Sequence, residues 1–256
     1  MRYRITLSYD GSSFCGWQIQ NDAMTVQECL QNALSTLLKE DIAVTGAGRT
    51  DSKVNAVNYV AHFEASSPDI DADAVGYKIN AILPAGIKVH SIIPCEPDFH
   101  ARFDATQREY KYFLHRCRDP FVREYSYLYT FPLDVGKMNR AAERLLGKHD
   151  FSCFEKVGGG NKTSICTVTL ARWETYTPDH VRIMGYPALD GDYLVFTIRA
   201  DRFLRNMVRA VVGSLLEVGR GKRDESWFET LTQGGSRRSA GESVPGNALF
   251  LTKVEY

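Results

Sequence analysis

The sequence predicts an α+β protein with two similar α/β lobes, arranged around a shared, mainly antiparallel sheet with a central basic cleft. Segments that alternate between apolar and polar residues, as strands do, occur in both halves of the 256-residue chain. Amphipathic segments with helical spacing separate them, and this mixture is typical of two packed lobes. Two arginine-rich segments supply the basic surface. We place the N-terminal lobe at residues 1–103 and the C-terminal lobe at residues 104–256.

The N-terminal lobe opens with a predicted strand at residues 3–9, which is followed by the turn signal Asp10-Gly11-Ser12. Thr25-Val26-Gln27-Glu28 has the form of a capping box, because the Thr and Glu side chains can satisfy the free N–H groups that begin a helix. The remaining elements predicted for this lobe are a strand at residues 57–64, a helix from about Asp71 to Leu83 and a strand at residues 86–93.

The C-terminal lobe repeats this mixture of elements. Its first predicted strand, residues 107–115, places Arg108, Tyr110 and Tyr112 on one face, because strand side chains alternate with a period of two. The other predicted elements are strands at residues 165–174, 192–200 and 249–256, and helices at about 134–147, 203–218 and 225–232.

The composition is that of an ordinary folded protein, with 44% hydrophobic and 24% charged residues. The sequence lacks an apolar run of the roughly 20 residues that a spanning helix needs, and it shows no secretion-signal pattern at its start, so we expect a cytoplasmic protein without a membrane partner. The six cysteines have no C-x-x-C spacing and the six histidines are scattered. We therefore expect reduced thiols and no metal site.

The formal net charge is zero, which argues mildly against nucleic-acid binding. The charges are unevenly distributed, however, because Arg and Lys concentrate in residues 102–118 and 202–223. A locally positive surface is compatible with a neutral total. Ordinary solvated faces are the alternative interpretation.

The first candidate for chemistry is the segment Gly46-Ala47-Gly48-Arg49-Thr50-Asp51. The glycines permit close backbone approach, and a guanidinium near a carboxylate keeps that carboxylate ionised at neutral pH. An ionised Asp51 suits a nucleophile or a base. An ordinary loop salt bridge would produce the same pattern.

The second candidate is the face that carries Arg108, Tyr110 and Tyr112, where a nucleobase could stack and a phosphate could bind. A half-buried structural strand is the alternative. The third candidate is the predicted helix 203–218, with Arg202, Arg205 and Arg209 on one side and Gly213 beside them. That side could let RNA or another element approach closely, or it could be a solvated basic face.

Taken together, these segments resemble the TruA family of tRNA pseudouridine synthases, nearly from end to end. The most specific motif is Gly48-Arg49-Thr50-Asp51. The other segments that carry the resemblance are Tyr9-Asp10-Gly11, Phe14-Cys15-Gly16-Trp17-Gln18, Thr25-Val26-Gln27-Glu28, Val60-Ala61-His62-Phe63, Asn80-Ala81-Ile82-Leu83-Pro84, Phe99-His100-Ala101-Arg102-Phe103, Arg108-Glu109-Tyr110-Lys111-Tyr112, Leu146-Gly147-Lys148-His149-Asp150-Phe151, Phe203-Leu204-Arg205-Asn206-Met207-Val208-Arg209 and Val212-Gly213-Ser214.

The resemblance implies the pseudouridine synthase fold and isomerisation of uridine in the tRNA anticodon stem-loop, at positions 38–40, by a homodimer without metal or cofactor. By position, Asp51 matches the family's nucleophile, Tyr110 the tyrosine that stacks on uracil, and Arg209 the basic residue that pairs with the aspartate. The substrate-binding positions that it implies are Arg49 for base flipping, Phe99, His100, Ala101, Arg102, Phe103 and Arg118 for tRNA contact, and Leu249 for the uracil pocket.

Two positions depart from the family's motif. Lys53 stands where the family has Gly, so a positive φ would be costly there, and Asn55 stands where it has His. These departures leave a second hypothesis open, a divergent RNA-binding paralogue without isomerase activity. A third hypothesis, an acid/base hydrolase using Asp51, lacks a second carboxylate in motif context.

Overall fold

The computed structural model describes residues 1–67, 70–158 and 161–256, and it contains two compact units. Unit 1 comprises Met1–Arg108 and Phe250–Tyr256, and unit 2 comprises Glu109–Leu249. The strands and helices are mixed along the chain, and most strand pairs are antiparallel. The predicted α+β class with a mainly antiparallel sheet is therefore confirmed.

The helices and strands follow one another in the order β1 (Arg2–Tyr9), α1 (Val26–Leu38), β2 (Val44–Gly46), β3 (Asn55–Glu64), α2 (Ala72–Ile82), β4 (Ile87–Pro94), β5 (Gln107–His115), β6 (Tyr127–Leu128), α3 (Val135–Glu143), β7 (Gly147–Asp150), β8 (Ile165–Thr175), α4 (Asp179–Met184), β9 (Tyr193–Ala200), α5 (Met207–Gly219), α6 (Glu225–Thr230) and β10 (Leu249–Glu255).

In unit 1 the strands lie in the order β4-β1-β3-β10, with β2 paired to β3. Strand β1 is antiparallel to both β3 and β4, whereas β10 runs parallel to β3. The alternation in β1 buries Tyr3, Ile5 and Leu7, and the ring of Tyr3 stacks on its cross-strand partner Phe63 at 5.5 Å. Helix α1 begins after Thr25, whose side chain accepts a hydrogen bond from the Glu28 backbone N–H, as the capping motif predicts.

In unit 2 the strands lie in the order β5-β9-β8-β7, with β6 paired to β5. Trp173 of β8 faces Phe196 of β9 in register, and their ring centroids are 5.1 Å apart in the core. Helix α3 packs against both α5 and β8. Nearly all residues of α5 are buried, because apolar side chains lie on both faces of the helix.

The predicted helix 203–218 is wrong at its start. Helix α5 begins at Met207 because Asn206 adopts a left-handed conformation with φ of 67°, which a continuing helix excludes. Arg202 and Arg205 therefore precede the helix, and of the three predicted stripe arginines only Arg209 lies on it. The predicted helix 134–147 ends earlier, at Glu143, before strand β7 begins.

Helix α4 and the short strands β2, β6 and β7 were absent from the sequence-based prediction. Within the described ranges, no helix combines the length and the hydropathy that crossing a membrane requires.

Candidate active site

Asp51 lies in unit 1 on the loop of residues 47–54 that joins β2 to β3, and its side chain is partly exposed. The preceding residue anchors it. Thr50 is buried, its Oγ1 lies 2.9 Å from the Tyr9 hydroxyl, and its carbonyl accepts a hydrogen bond from the Trp17 N–H at 3.3 Å. A buried anchor next to a partly exposed carboxylate gives Asp51 a defined position and access to solvent.

An aromatic cluster of Tyr9, Trp17 and Tyr59 packs against this loop. Trp17 stacks on Tyr59 at 4.1 Å, and the Tyr59 hydroxyl donates to the Gly48 carbonyl. Packing is close enough to require glycine, because a Cβ on Gly46 would lie 2.6 Å from the Trp17 ring. The loop is therefore pre-organised by buried side chains before any ligand binds.

Gly16 brings the segment after β1 against the other side of the same loop. Its φ is +90°, and a Cβ there would lie 2.5 Å from the Thr50 carbonyl oxygen. The Lys53 N–H donates to the Phe14 carbonyl at 3.3 Å, which adds a second link to that segment. Phe14 and Gly16, from the segment Phe14-Cys15-Gly16-Trp17-Gln18 that carries part of the resemblance, therefore help to hold the loop.

Both departures from the family motif occupy defined conformations. Lys53 has a φ of 66°, so the positive φ anticipated as costly for a non-glycine residue is present. Asn55 is buried, and its Oδ1 accepts a hydrogen bond from the Gly11 N–H at 2.8 Å. Asn55 therefore joins the turn after β1 to the start of β3, immediately beyond the loop.

Arg49, predicted to act in base flipping, is exposed two residues before Asp51 on this loop. The structure therefore places Arg49 and Asp51 on one supported segment, with the arginine side chain projecting at the surface. An exposed guanidinium can enter the space that a flipped base leaves.

The turn of residues 99–103 is also in unit 1 and is centred on the fully buried Ala101. The Ala101 N–H donates to Nδ1 of His62 at 3.1 Å, and its carbonyl accepts from the Tyr256 hydroxyl at 2.8 Å. His100 accepts hydrogen bonds on its Nδ1 from the N–H groups of Arg102 and Phe103. Ala101 is hydrogen-bonded through both its N–H and its carbonyl, which fixes the backbone that carries Arg102 and Phe103.

Phe103 is 73% exposed at the tip of this turn. Its ring lies 4.2 Å from that of His100, and the Arg102 guanidinium lies 5.6 Å from its centre. An exposed aromatic ring next to a cation provides both a stacking surface for a nucleobase and a partner for phosphate. The geometry of the turn is therefore suited to the RNA contact predicted for it.

His62 must be neutral to support this turn, because a protonated imidazole has no acceptor nitrogen. Burial is the main cause that lowers the pKa of His62 from 6.5 to about 4, and the neighbouring His100 and Arg2 lower it further. Its Nδ1 is therefore available as an acceptor at neutral pH.

In unit 2, Tyr110 lies on β5 and is partly exposed, with its ring edge-to-face against Phe203 at 5.0 Å. The neighbouring Glu109 points the other way and is buried, and its carboxylate pairs with Arg199 at 2.5 Å. The ion pair between Glu109 and Arg199 joins β5 to β9 on the face of β5 opposite Tyr110. The phenol of Tyr110 is thereby held at a defined angle.

Arg209 lies on α5 and is tied to a returning segment of chain. Its Nε donates to the Val244 carbonyl at 2.7 Å, and the Val244 N–H donates to the Arg209 carbonyl at 3.2 Å. The segment can approach so closely because of Gly213, where a Cβ would collide with the Glu242 carbonyl. The close approach that the sequence predicted beside Gly213 is made by this segment of the protein itself.

The returning segment, residues 241–249, continues past β5. The Tyr112 hydroxyl donates to the Pro245 carbonyl at 3.1 Å, and the Phe113 N–H donates to the Ala248 carbonyl at 3.0 Å. Burial raises the pKa of Tyr112 far above its usual range, so this phenol remains a donor. Leu249, predicted to line the uracil pocket, is buried at the end of the segment.

Within unit 2 the structure therefore links Arg209, Leu249 and the strand of Tyr110 through residues 241–249. The sequence prediction missed this segment, although Gly213 in the middle of a helix was one signal of it. Arg118 lies after β5 and is exposed. Its carbonyl accepts a hydrogen bond from the Tyr186 hydroxyl at 3.3 Å.

Across the three described ranges, no group of three or more His, Cys, Asp or Glu side chains could hold a metal ion. The six cysteines carry free thiols, of which Cys153 and Cys166 are buried.

The sequence profile of the family described as tRNA pseudouridine synthase matches residues 5–104 and 141–256. The tRNA pseudouridine synthase A of Bacteroides fragilis is 47% identical over 256 residues, covering 100% of this chain and 96% of that protein. The protein of the same name from Bacteroides thetaiotaomicron is 48% identical and covers 100% and 90%. The chain belongs to the TruA family of tRNA pseudouridine synthases.

More distant members of the TruA family align equally completely. The tRNA pseudouridine synthase A of Colwellia psychrerythraea is 38% identical over 100% of this chain and 94% of that protein. Pseudouridine synthases are isomerases, so the predicted family and enzyme class are both confirmed.

Among solved structures, a chain of the archaeal box H/ACA sRNP Nop10-Cbf5 complex aligns with 84% of this chain and 44% of its own length. Its TM-score is 0.34 at 12% identity.

Proposed function

We propose that this protein isomerises uridine to pseudouridine in tRNA. The observation that carries the proposal is identity of 47–48% along the whole chain to proteins named tRNA pseudouridine synthase A. The reaction breaks the bond between C1′ and N1, rotates the uracil ring and joins C1′ to C5. The C5 proton leaves and N1 gains a proton, so atoms and electrons balance without an oxidant, a metal or a cofactor.

Asp51 is the proposed nucleophile. A carboxylate can form a covalent intermediate and so divide one difficult step into two easier ones. The support for this role is the partly exposed position of Asp51 next to the buried Thr50, on a loop held by Tyr59 and Trp17. Pre-organisation of that loop reduces the cost of placing the carboxylate in the transition state.

Tyr110 stacks on the uracil in this proposal and takes part in the proton transfer at C5. Arg209 supplies the cationic group of the reaction, and Leu249 contributes apolar surface to the uracil pocket. The support is that Tyr110 is partly exposed on a strand fixed by Glu109, while residues 241–249 link Arg209 to Leu249.

The RNA-contacting residues in this proposal are Arg49, which holds the gap left by the flipped base, the turn 99–103 and Arg118. Phe99, His100 and Ala101 build the turn, and Arg102 and Phe103 present a cation and a ring at the surface. The substrate is the anticodon stem-loop of tRNA, with uridines at positions 38–40 as the targets.

We further propose that the enzyme works as a homodimer in the cytoplasm. Light scattering of the purified protein tests the oligomeric state, and a mass near twice 28.8 kDa is expected. A monomer at micromolar concentration would contradict the dimer while leaving the isomerase proposal intact.

The isomerase proposal is tested with tRNA that carries 5-fluorouridine. Fluorine at C5 cannot leave as a proton, so an isomerase stalls in an adduct or releases a rearranged product. We expect the wild-type protein to react and Asp51→Ala to be inert while still binding the RNA. A wild-type protein that binds the tRNA and leaves 5-fluorouridine unchanged would favour the non-catalytic RNA-binding alternative.

A further inference from the structure

The guanidinium of Arg108 is bonded to three backbone carbonyls from two different segments of unit 1. Nη1 donates to the Ala105 carbonyl at 2.6 Å, and Nη2 donates to the carbonyls of Arg102 at 2.6 Å and of Ala47 at 3.1 Å. Arg102 belongs to the turn of residues 99–103 with the exposed Phe103, and Ala105 follows shortly after that turn, whereas Ala47 begins the loop of residues 47–54 that carries Asp51. The Arg108 side chain therefore connects the turn of residues 99–103 to the loop of residues 47–54.

The chemistry of this link is specific to arginine. A guanidinium presents its N–H groups as a rigid planar fork, so it can hold several acceptors at fixed mutual angles. Hydrogen bonds from a charged donor are shorter and stronger than neutral ones, and the 2.6 Å bonds to the Arg102 and Ala105 carbonyls fit that class. Lysine at position 108 would be a point donor on a flexible stem and could not reproduce the fork.

Arg2 also holds the turn of residues 99–103, but it joins the turn to a different element. The Arg2 guanidinium donates to the Phe99 carbonyl at 2.8 Å and pairs with Glu64, so it fastens the turn to the end of β3. Both arginines donate to carbonyls of the turn, but Arg108 also donates to the Ala47 carbonyl in the loop of residues 47–54. Arg2 therefore provides a matched control for turn stability without the link to the loop.

We propose that Arg108 is a positioning residue that couples RNA contact at the turn of residues 99–103 to the orientation of the Asp51 loop. This proposal rests on the proposed function, because it states that RNA binding energy raises the rate of the isomerisation. Contacts made away from the reacting atoms can raise the rate only if they improve alignment in the transition state. The Ala47 bond provides a direct physical route for that effect.

A double-mutant cycle between Arg108→Met and Phe103→Ala tests the coupling. The readouts are the single-turnover rate of pseudouridine formation at saturating tRNA and the Kd for the same tRNA. In the wild-type background, Phe103→Ala should weaken binding and lower the rate about tenfold. In the Arg108→Met background, Phe103→Ala should still weaken binding but change the rate by less than about twofold.

In the Arg2→Met background, Phe103→Ala should retain its full effect on the rate, because the link to the loop is intact. Multiplicative rate effects of Arg108→Met and Phe103→Ala would overturn the proposal, as would an unchanged rate in Arg108→Met. If Arg108→Met fails to fold by circular dichroism, Arg108→Lys carries the same cycle with the charge retained, under the same criteria. Absence of pseudouridine with the wild-type protein would contradict the proposed function itself, which separates the two failures.

Discussion

The Nε of Arg209 donates a 2.7 Å hydrogen bond to the Val244 carbonyl, and the Val244 N–H donates back to the Arg209 carbonyl at 3.2 Å. This reciprocal pair fixes both the side chain and the backbone of Arg209 on α5. A guanidinium held by its Nε keeps its two terminal nitrogens oriented together. The pair therefore gives the proposed cationic group a defined direction.

Arg209→Ala is expected to impair the reaction more than RNA binding. Because the guanidinium is used at the reacting centre in this account, the single-turnover rate should fall about 100-fold while the Kd for tRNA changes about threefold or less. Arg205→Ala is the comparison, since Arg205 is exposed and precedes the helix. It should change binding and leave the rate at saturation unaltered. Equal losses of rate and affinity in Arg209→Ala would contradict its role.

Gly213→Ala should displace the returning segment, because the added Cβ would collide with the Glu242 carbonyl. We expect a loss of about 2–3 kcal/mol in the free energy of unfolding. The control is Gly76→Ala in α2, where a Cβ meets open space and should stabilise by about 0.5–1 kcal/mol. Denaturant titration measures both variants, and a neutral Gly213→Ala would show that the segment yields without cost.

Lys53→Gly should stabilise the protein by about 0.5–1 kcal/mol, since relief of the left-handed strain exceeds the added flexibility of glycine in the unfolded chain. Lys39→Gly tests the same physics away from the loop, because Lys39 has a φ of 56° at the end of α1. Both variants should raise the unfolding free energy by similar amounts. A destabilised Lys53→Gly would indicate that the lysine side chain makes a compensating contact.

The turn of residues 99–103 should lose support in acid through His62. Its folded-state pKa of about 4 lies below the unfolded value of 6.5, so the unfolded chain binds more protons between these pH values. Stability therefore rises with pH across that window and is lost as pH falls through it, by about 2–3 kcal/mol for this residue. The charged or titratable groups that act on His62 are Arg2, Glu64, His100 and Asp104.

A His62→Asn variant isolates this effect, because an amide oxygen can accept from the Ala101 N–H without titrating. Urea titrations of both proteins at pH 7, 5.5 and 4 provide the measurement. The wild type should lose more stability than the variant between pH 6.5 and 4. Parallel curves for the two proteins would show that His62 does not titrate in this range.

Much of the local structure was predictable from periodicity. The alternation in β1 and β5 and the capping motif at Thr25 are local signals, and the elements form where those signals lie. The start of α5 was not predictable in this way. Phe203 and Leu204 continue the apolar spacing of the helix, but the left-handed Asn206 separates them from it. Helix α4 is short and none of its residues is buried, so it carries no periodic apolar pattern.

The supports of the candidate site were mostly beyond the reach of sequence reasoning, because they are contacts between distant segments. The residues Asp51, Tyr110 and Arg209 could be proposed by resemblance, yet nothing local in the chain shows that Val244 meets Arg209. The parallel pairing of β10 with β3, which returns Phe250 to the strand after the Asp51 loop, is equally nonlocal. At Lys53 the sequence indicated only that a positive φ would be costly for a non-glycine residue, and the structure has a φ of 66° there.

In the proposed reaction Asp51 carries the isomerisation, and this role is tested by the release of tritium from tRNA labelled at C5 of uridine. Forming the C1′–C5 bond expels the C5 hydrogen, so each turnover releases one tritium to water. The wild-type protein should release tritium in proportion to pseudouridine formed, and Asp51→Asn, which keeps the side-chain volume, should release none above background while binding the tRNA normally. Release by Asp51→Asn at the wild-type rate would contradict the account.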